Sequence, residues 1–205
     1  MTFISSSALI GVSAVALMAC TSSSFADDTS SVADPKPALM IDSGEGEAIQ
    51  FPLHPTTRLA DASSNQAGLS LFEIEVPANS AGAPPHTHAH EDEFFYVREG
   101  TVTFMADGER KMISPGGLVM LPRGGSHALW NAGDTDATLL VGTSEGEFDD
   151  FFDAVAMEVA SAGDLTPPEI GAIVGRVGAE RGIIIDMSLV PDDVRPLYGM
   201  PPKDQ

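Results

Sequence analysis

The chain has 205 residues, 43% of them apolar, enough for one main domain with a sizeable core. Thirty Asp and Glu against 10 Lys and Arg leave a formal charge of −20. So acidic a surface repels nucleic acid and anionic membranes, which excludes both as partners and reads as a solvated, solubilising shell.

Residues 1–26 read as an export signal. The apolar run 8–19 is too short to span a bilayer, so no membrane span is expected. Ser24-Phe25-Ala26 is a small-x-small cleavage site before Asp27, which predicts a periplasmic or secreted protein. Cys20, in Leu17-Met18-Ala19-Cys20, resembles a bacterial lipoprotein cleavage site and leaves a lipid-anchored form as the alternative. It is the only cysteine, so no disulfide forms within the chain. Residues 27–47 are rich in Ser, Asp, Ala, Pro and Gly without apolar period and read as a flexible linker.

A β-rich domain is expected over 48–146. Strands are predicted at 48–53 and 56–59, then a polar loop over 60–68. In 69–76, LSLFEIEV, strict alternation sends Ser70, Phe72, Ile74 and Val76 to the core. A turn-rich loop, 77–85, leads into 84–100, PPHTHAHEDEFFYVREG. Further short strands are predicted at 94–99, 101–105, 109–113, 118–121, 128–130 and 137–144. Ala106-Asp107-Gly108 is a hairpin signal between two of them. Many short strands with Gly and Pro turns mean a sandwich or barrel.

Beyond 147 the period changes. Phe148, Phe151, Phe152 and Val155 lie at i, i+3, i+4 and i+7, an amphipathic helix that packs its aromatic stripe on the barrel or on the partner in a homodimer. Thr166-Pro167-Pro168-Glu169 starts a second helix, with Ile170, Ile173, Val174 and Val177 on one face and Gly182 after its end. The helices are expected within 147–182 and a tail over 183–205, with 183–185 docked as a strand or extended. There is no internal repeat.

The chemistry lies in two stretches. On a strand His86 and His88 point to one face, and Glu93 begins the next strand. In the second, GGLVMLPRGGSHALWN, stands His127. Three imidazoles and a carboxylate are a ligand set for one divalent transition metal, which could be Fe, Mn, Ni, Co, Cu or Zn. His90 is read as a loop residue or a support behind the ligands, and His54 as an ordinary surface or core histidine. Ser126 beside His127 lacks a G-x-S-x-G elbow, so it is not a hydrolase nucleophile. Phe72, Phe95, Val97, Phe104, Met120 and Trp130 are the candidates for an apolar wall around the site.

The first stretch carries H-x-H-x4-E-x6-G and the second G-x5-P-x-G-x2-H-x3-N, with Gly116, Pro122, Gly124, His127 and Asn131 in place. Together they resemble the two signature motifs of the single-domain type-2 cupins. The pattern departs only at Ser80, where the family has Gly and where Gly82, Pro84 and Pro85 supply the turn. The resemblance implies a mainly β fold, a cupin jelly-roll β-barrel with C-terminal α-helices, and a metal held by His86, His88, Glu93 and His127. The layout is similar to the small quercetin 2,3-dioxygenase-like cupins. That implies a dioxygenase acting on a small aromatic or enolic substrate, with Glu93 also as catalytic base. A non-catalytic metal- or small-molecule-binding cupin and a metal-dependent isomerase or lyase stay open, because this fold carries many functions.

Overall fold

Period-two patterning sets the strands, as in SLFEIEV, where Ser70, Phe72 and Val76 are buried while Glu75 faces solvent. A computed structural model describes residues 34–144 and 147–203 of the protein; the expected export signal and Cys20 lie outside the described residues. The strands are β1 (Glu47–Ile49), β2 (Thr56–Ala60), β3 (Ser70–Val76), β4 (Ser80–Ala81), β5 (His86–His88) and β6 (Glu93–Glu99). There follow β7 (Val102–Ala106), β8 (Glu109–Ile113), β9 (Leu118–Leu121), β10 (His127–Asn131) and β11 (Ala137–Thr143). Helices α1 (Phe148–Ala162) and α2 (Pro167–Glu180) precede a last strand, β12 (Ile183–Ile185).

One sheet runs β1-β2-β3-β11-β6-β9 and the other β12-β5-β10-β7-β8, with β4 paired to β10. The pairings are antiparallel throughout. This is the expected jelly-roll, mainly β with C-terminal helices. Asp107 and Gly108 both have positive φ, 52° and 79°, which gives the β7–β8 hairpin a turn whose twist matches its strands.

Phe72, Val97, Leu139 and Val141 are fully buried in the main core. The aromatic stripe of α1 joins the same cluster, and Phe152 meets Phe72 at 4.9 Å between ring centroids. Glu169 Oε2 accepts from the Thr166 amide at 2.8 Å and from its hydroxyl at 2.6 Å, fixing the start of α2 as its sequence predicts.

One expectation needs correction. The first strand does not run to 53. It stops at Ile49, because Phe51 N–H donates back to Ile49 O at 2.8 Å in a tight turn and Pro52 has no N–H for a ladder. Phe51 instead packs edge-on against Phe152, 4.9 Å between centroids. Residues 183–185 dock as a strand, as expected, and the chain beyond them packs as well. β12 pairs with β5, and Val190 and Val194 are buried with Ala128 and Trp130 in a second cluster. The Tyr198 hydroxyl lies 3.2 and 3.0 Å from the carbonyls of Ala83 and Leu129. Single apolar residues separated by Asp and Pro have no period, so the sequence pattern hides this packing.

Candidate metal centre

The two sheets supply the four predicted ligands jointly. His86 and His88 flank Thr87 on β5, so strand alternation turns both rings to the same side. His127 opens β10 and stands opposite His86 in the β5–β10 register. Glu93 opens β6 in the other sheet, paired to Thr143 of β11. All four side chains are buried, and one donor atom of each lies within 4.8 Å of the others.

The ring nitrogens divide into an inner and an outer set. Nε2 of His86 lies 3.1 Å from Nε2 of His88. Glu93 Oε2 lies 2.9 Å from His127 Nε2 and 3.6 Å from His88 Nε2. Outside, His86 Nδ1 meets Pro84 O at 2.7 Å, and His127 Nδ1 meets Gly125 O at 3.2 Å. His88 Nδ1 meets Glu91 Oε2 at 3.2 Å. Each outer partner is an oxygen acceptor, so each Nδ1 carries the hydrogen and each Nε2 turns a lone pair to the centre. Such lone pairs repel one another and attract a cation, and imidazole with carboxylate suits a transition metal. The donor set therefore fits the expected ion, and the cluster could bind one.

Burial, with His127 nearby, pushes His86 down to about 3 despite the opposing charge of Glu93. Its lone pair is thus available at neutral pH. Burial also acts to lower His88, but its hydrogen bond to Glu91 and the charges of Glu93 and Glu91 win and raise it. For Glu93, burial acts upward, and the close approach of His127 Nε2 together with the other two imidazoles wins and holds it below the ordinary carboxylate range.

Glu91 was not legible as a functional residue in the sequence. It is 1% exposed, and its second oxygen accepts from the Glu147 amide at 3.0 Å. It therefore joins a candidate ligand to the start of α1. Its one sequence signal is a carboxylate three positions after His88. His90, by contrast, is an exposed loop residue. Gly124 adopts φ 82°, and its N–H reaches the His88 carbonyl at 2.8 Å, tying the second motif to the first.

An apolar cavity of about 100 Å³ adjoins the cluster. His86 and Glu93 line it, with Phe51, Ile74, Phe95 and Phe148 among its apolar walls. Of the six wall residues expected from the sequence, Phe95 alone lines it. Phe72, Val97 and Phe104 lie in the core, Trp130 belongs to the second cluster, and Met120, on the outward face of β9, is 60% exposed. His54, read from the sequence as a surface or core histidine, also lines the cavity.

A family model described as "Cupin domain" matches residues 72–142. The chain carries a cupin domain. Its matched region is also similar to germin-like protein 5-1 of Oryza sativa subsp. japonica, 35% identical over 81 residues, 37% of this chain and 36% of that one. The chain thus spans little more than a third of that curated relative. Among solved structures it is similar to a predicted oxalate decarboxylase from Thermotoga maritima, at 19% identity and TM-score 0.47, covering 52% of this chain and 99% of that one. It is also similar to the polyketide cyclase RemF from Streptomyces resistomycificus, at 23% identity and TM-score 0.45, covering 53% of this chain and 80% of that one. No helix among the cupin's described residues is long and apolar enough to cross a membrane.

Proposed function

We propose that this cupin is an exported, metal-dependent enzyme, a dioxygenase acting on a small, mostly apolar molecule that carries an enol or hydroxy-ketone. The observation that carries this reading is the convergence of three imidazole nitrogens and one carboxylate oxygen beside a mostly apolar cavity. Export is supported by the apolar run and the Ser24-Phe25-Ala26 site.

His86, His88, Glu93 and His127 would hold the ion. A bound redox-active metal would supply Lewis-acid polarisation of a substrate oxygen and a meeting place for substrate and dioxygen. The chain's own part is positioning, exclusion of water and proton transfer. Phe51, Phe95 and Phe148 hold the apolar body and keep water out, which strengthens every charge interaction within. Glu93, kept ionised by its histidine neighbours, accepts the enol proton at Oε2. The cavity also limits size. At about 100 Å³ it favours a small substrate body.

The test is elemental analysis after metal loading, followed by oxygen uptake on one-ring enols and short diketones. Uptake matched to substrate loss supports the dioxygenase. Substrate loss without uptake selects the isomerase or lyase, and binding without turnover selects the binding module.

A further inference from the structure

His54 lies outside both motifs, in the segment between β1 and β2, yet it lines the same cavity as His86 and Glu93. Its Nδ1 is buried with no hydrogen-bond partner. Buried polar atoms without a partner are uncommon, and each destabilises the fold unless something satisfies it. His54 takes no part in the ring contacts that join the three candidate ligands. It is therefore a second polar point on an otherwise hydrocarbon wall.

The tautomer follows from its neighbour. The Gly82 amide already donates to Leu129 O at 3.1 Å, so Gly82 offers His54 its carbonyl. With the Gly82 carbonyl acting on the imidazole as an acceptor and Nδ1 without a partner, we assign the hydrogen to Nε2. Nδ1 is left as an acceptor. Gly82 is itself fixed in place, because a Cβ there would fall 2.0 Å from Leu129 Cδ1.

We propose that His54 recognises the substrate: its Nδ1 accepts a hydrogen bond from a hydroxyl or N–H borne by a short apolar body whose other end is held at the four-residue cluster. The substrate class is then a small two-ended molecule, with a chelating enol or hydroxy-ketone at one end, a few carbons between, and a hydrogen-bond donor at the other. This rests on the metal-dependent reading above and adds the second end. The apolar walls between the two points set specificity by what they leave unpaired. An analogue without the donor leaves Nδ1 buried and unsatisfied, whereas an analogue with it does not.

The test uses two short chelators that differ by one hydroxyl, butanohydroxamic acid and 4-hydroxybutanohydroxamic acid. Each is titrated calorimetrically into metal-loaded full-length protein, and metal content is measured again after each titration. The hydroxylated probe is expected to bind about 3–10-fold more tightly to the parent protein, the range of one hydrogen bond. His54→Phe removes that preference while metal content and thermal midpoint hold. His54→Gln, which keeps an acceptor, retains part of it and guards against a misfolded first variant. Loaded protein that binds the two probes equally, or fails to bind either, overturns the role of His54 and leaves the metal reading standing. A preference that survives His54→Phe overturns it too. Protein with no metal above background overturns the metal reading itself, a result read from elemental analysis and not from the probes.

Discussion

Glu91 and His88 are joined through the outer ring nitrogen of the histidine, 3.2 Å from Glu91 Oε2, while the other Glu91 oxygen holds the first amide of the C-terminal helical region. One buried carboxylate therefore orients a ligand and anchors an element from a distant part of the chain. The negative charge also suits a helix start, where unpaired amides and the helix dipole favour an anion. Glu91→Gln keeps the size and removes the charge. Metal affinity is expected to fall by about 10–100-fold, as for other groups that orient a ligating imidazole. Competition with a metal indicator measures it, and unchanged affinity would mean that His88 needs no such support.

Substitutions within the cluster separate holding from chemistry. His88→Ala and His127→Ala are expected to lose metal and turnover together, because neither leaves a donor in place. Glu93→Gln keeps one oxygen and loses the charge and most of the basicity. It should retain a measurable share of metal while turnover falls by about 10²–10⁴-fold. Paired metal content and steady-state rate decide it. Full metal with a near-normal rate would remove Glu93 from the mechanism.

Phe152 is 4% exposed and touches Phe51, Phe72, Phe148 and Phe151. Phe152→Ala leaves a ring-sized void at the junction of α1 and the barrel. The expected cost is ~3–5 kcal/mol, a drop of roughly 6–20 °C in thermal midpoint for a chain of this size. A scan with little change would show that α1 is dispensable for stability.

The His54 imidazole gives a pH signature. Burial lowers it from its ordinary 6.5, with the Gly82 carbonyl opposing. The unfolded chain therefore binds a proton at His54 before the folded chain does. That contribution to stability is complete above pH 6.5 and is lost as the pH falls below it, at no more than ~1.4 kcal/mol per pH unit. Denaturant melts at pH 7 and pH 5.5 on parent and His54→Gln isolate this, because the other titrating groups cancel in the difference. The parent should lose more stability on acidification than the variant, and equal losses would place the ring in solvent.

The ligand set could be read from sequence because two spacings and a strand period mark the four donors, which the fold brings together from three strands. Phe148, Phe151, Phe152 and Val155 could be read for the same reason, since helical spacing declares a buried stripe before any contact is known. Glu91 and His54 could not. Each sits in irregular chain, where no period fixes direction, and each acquires its part only from what the fold brings beside it: His88 and Glu147 for one, Gly82 and the cavity for the other. The wall failed similarly. Picking out large apolar residues named six candidates, but which of them meets the cavity depends on how deep in the barrel its strand position falls, and that is a property of the closed sheet.

The pairing of β12 with β5, Ile183 opposite His88 and Ile185 opposite His86, bears on assembly order. The histidine strand is made well before its flanking neighbour, which follows both helices in the chain. A ligand pair bounded by so non-local a contact is completed late, since the loop between the strands must close before the pairing is gained. Nascent chains would then traverse the early stages of folding with two uncovered imidazoles, and cation capture would coincide with the last docking event instead of seeding it.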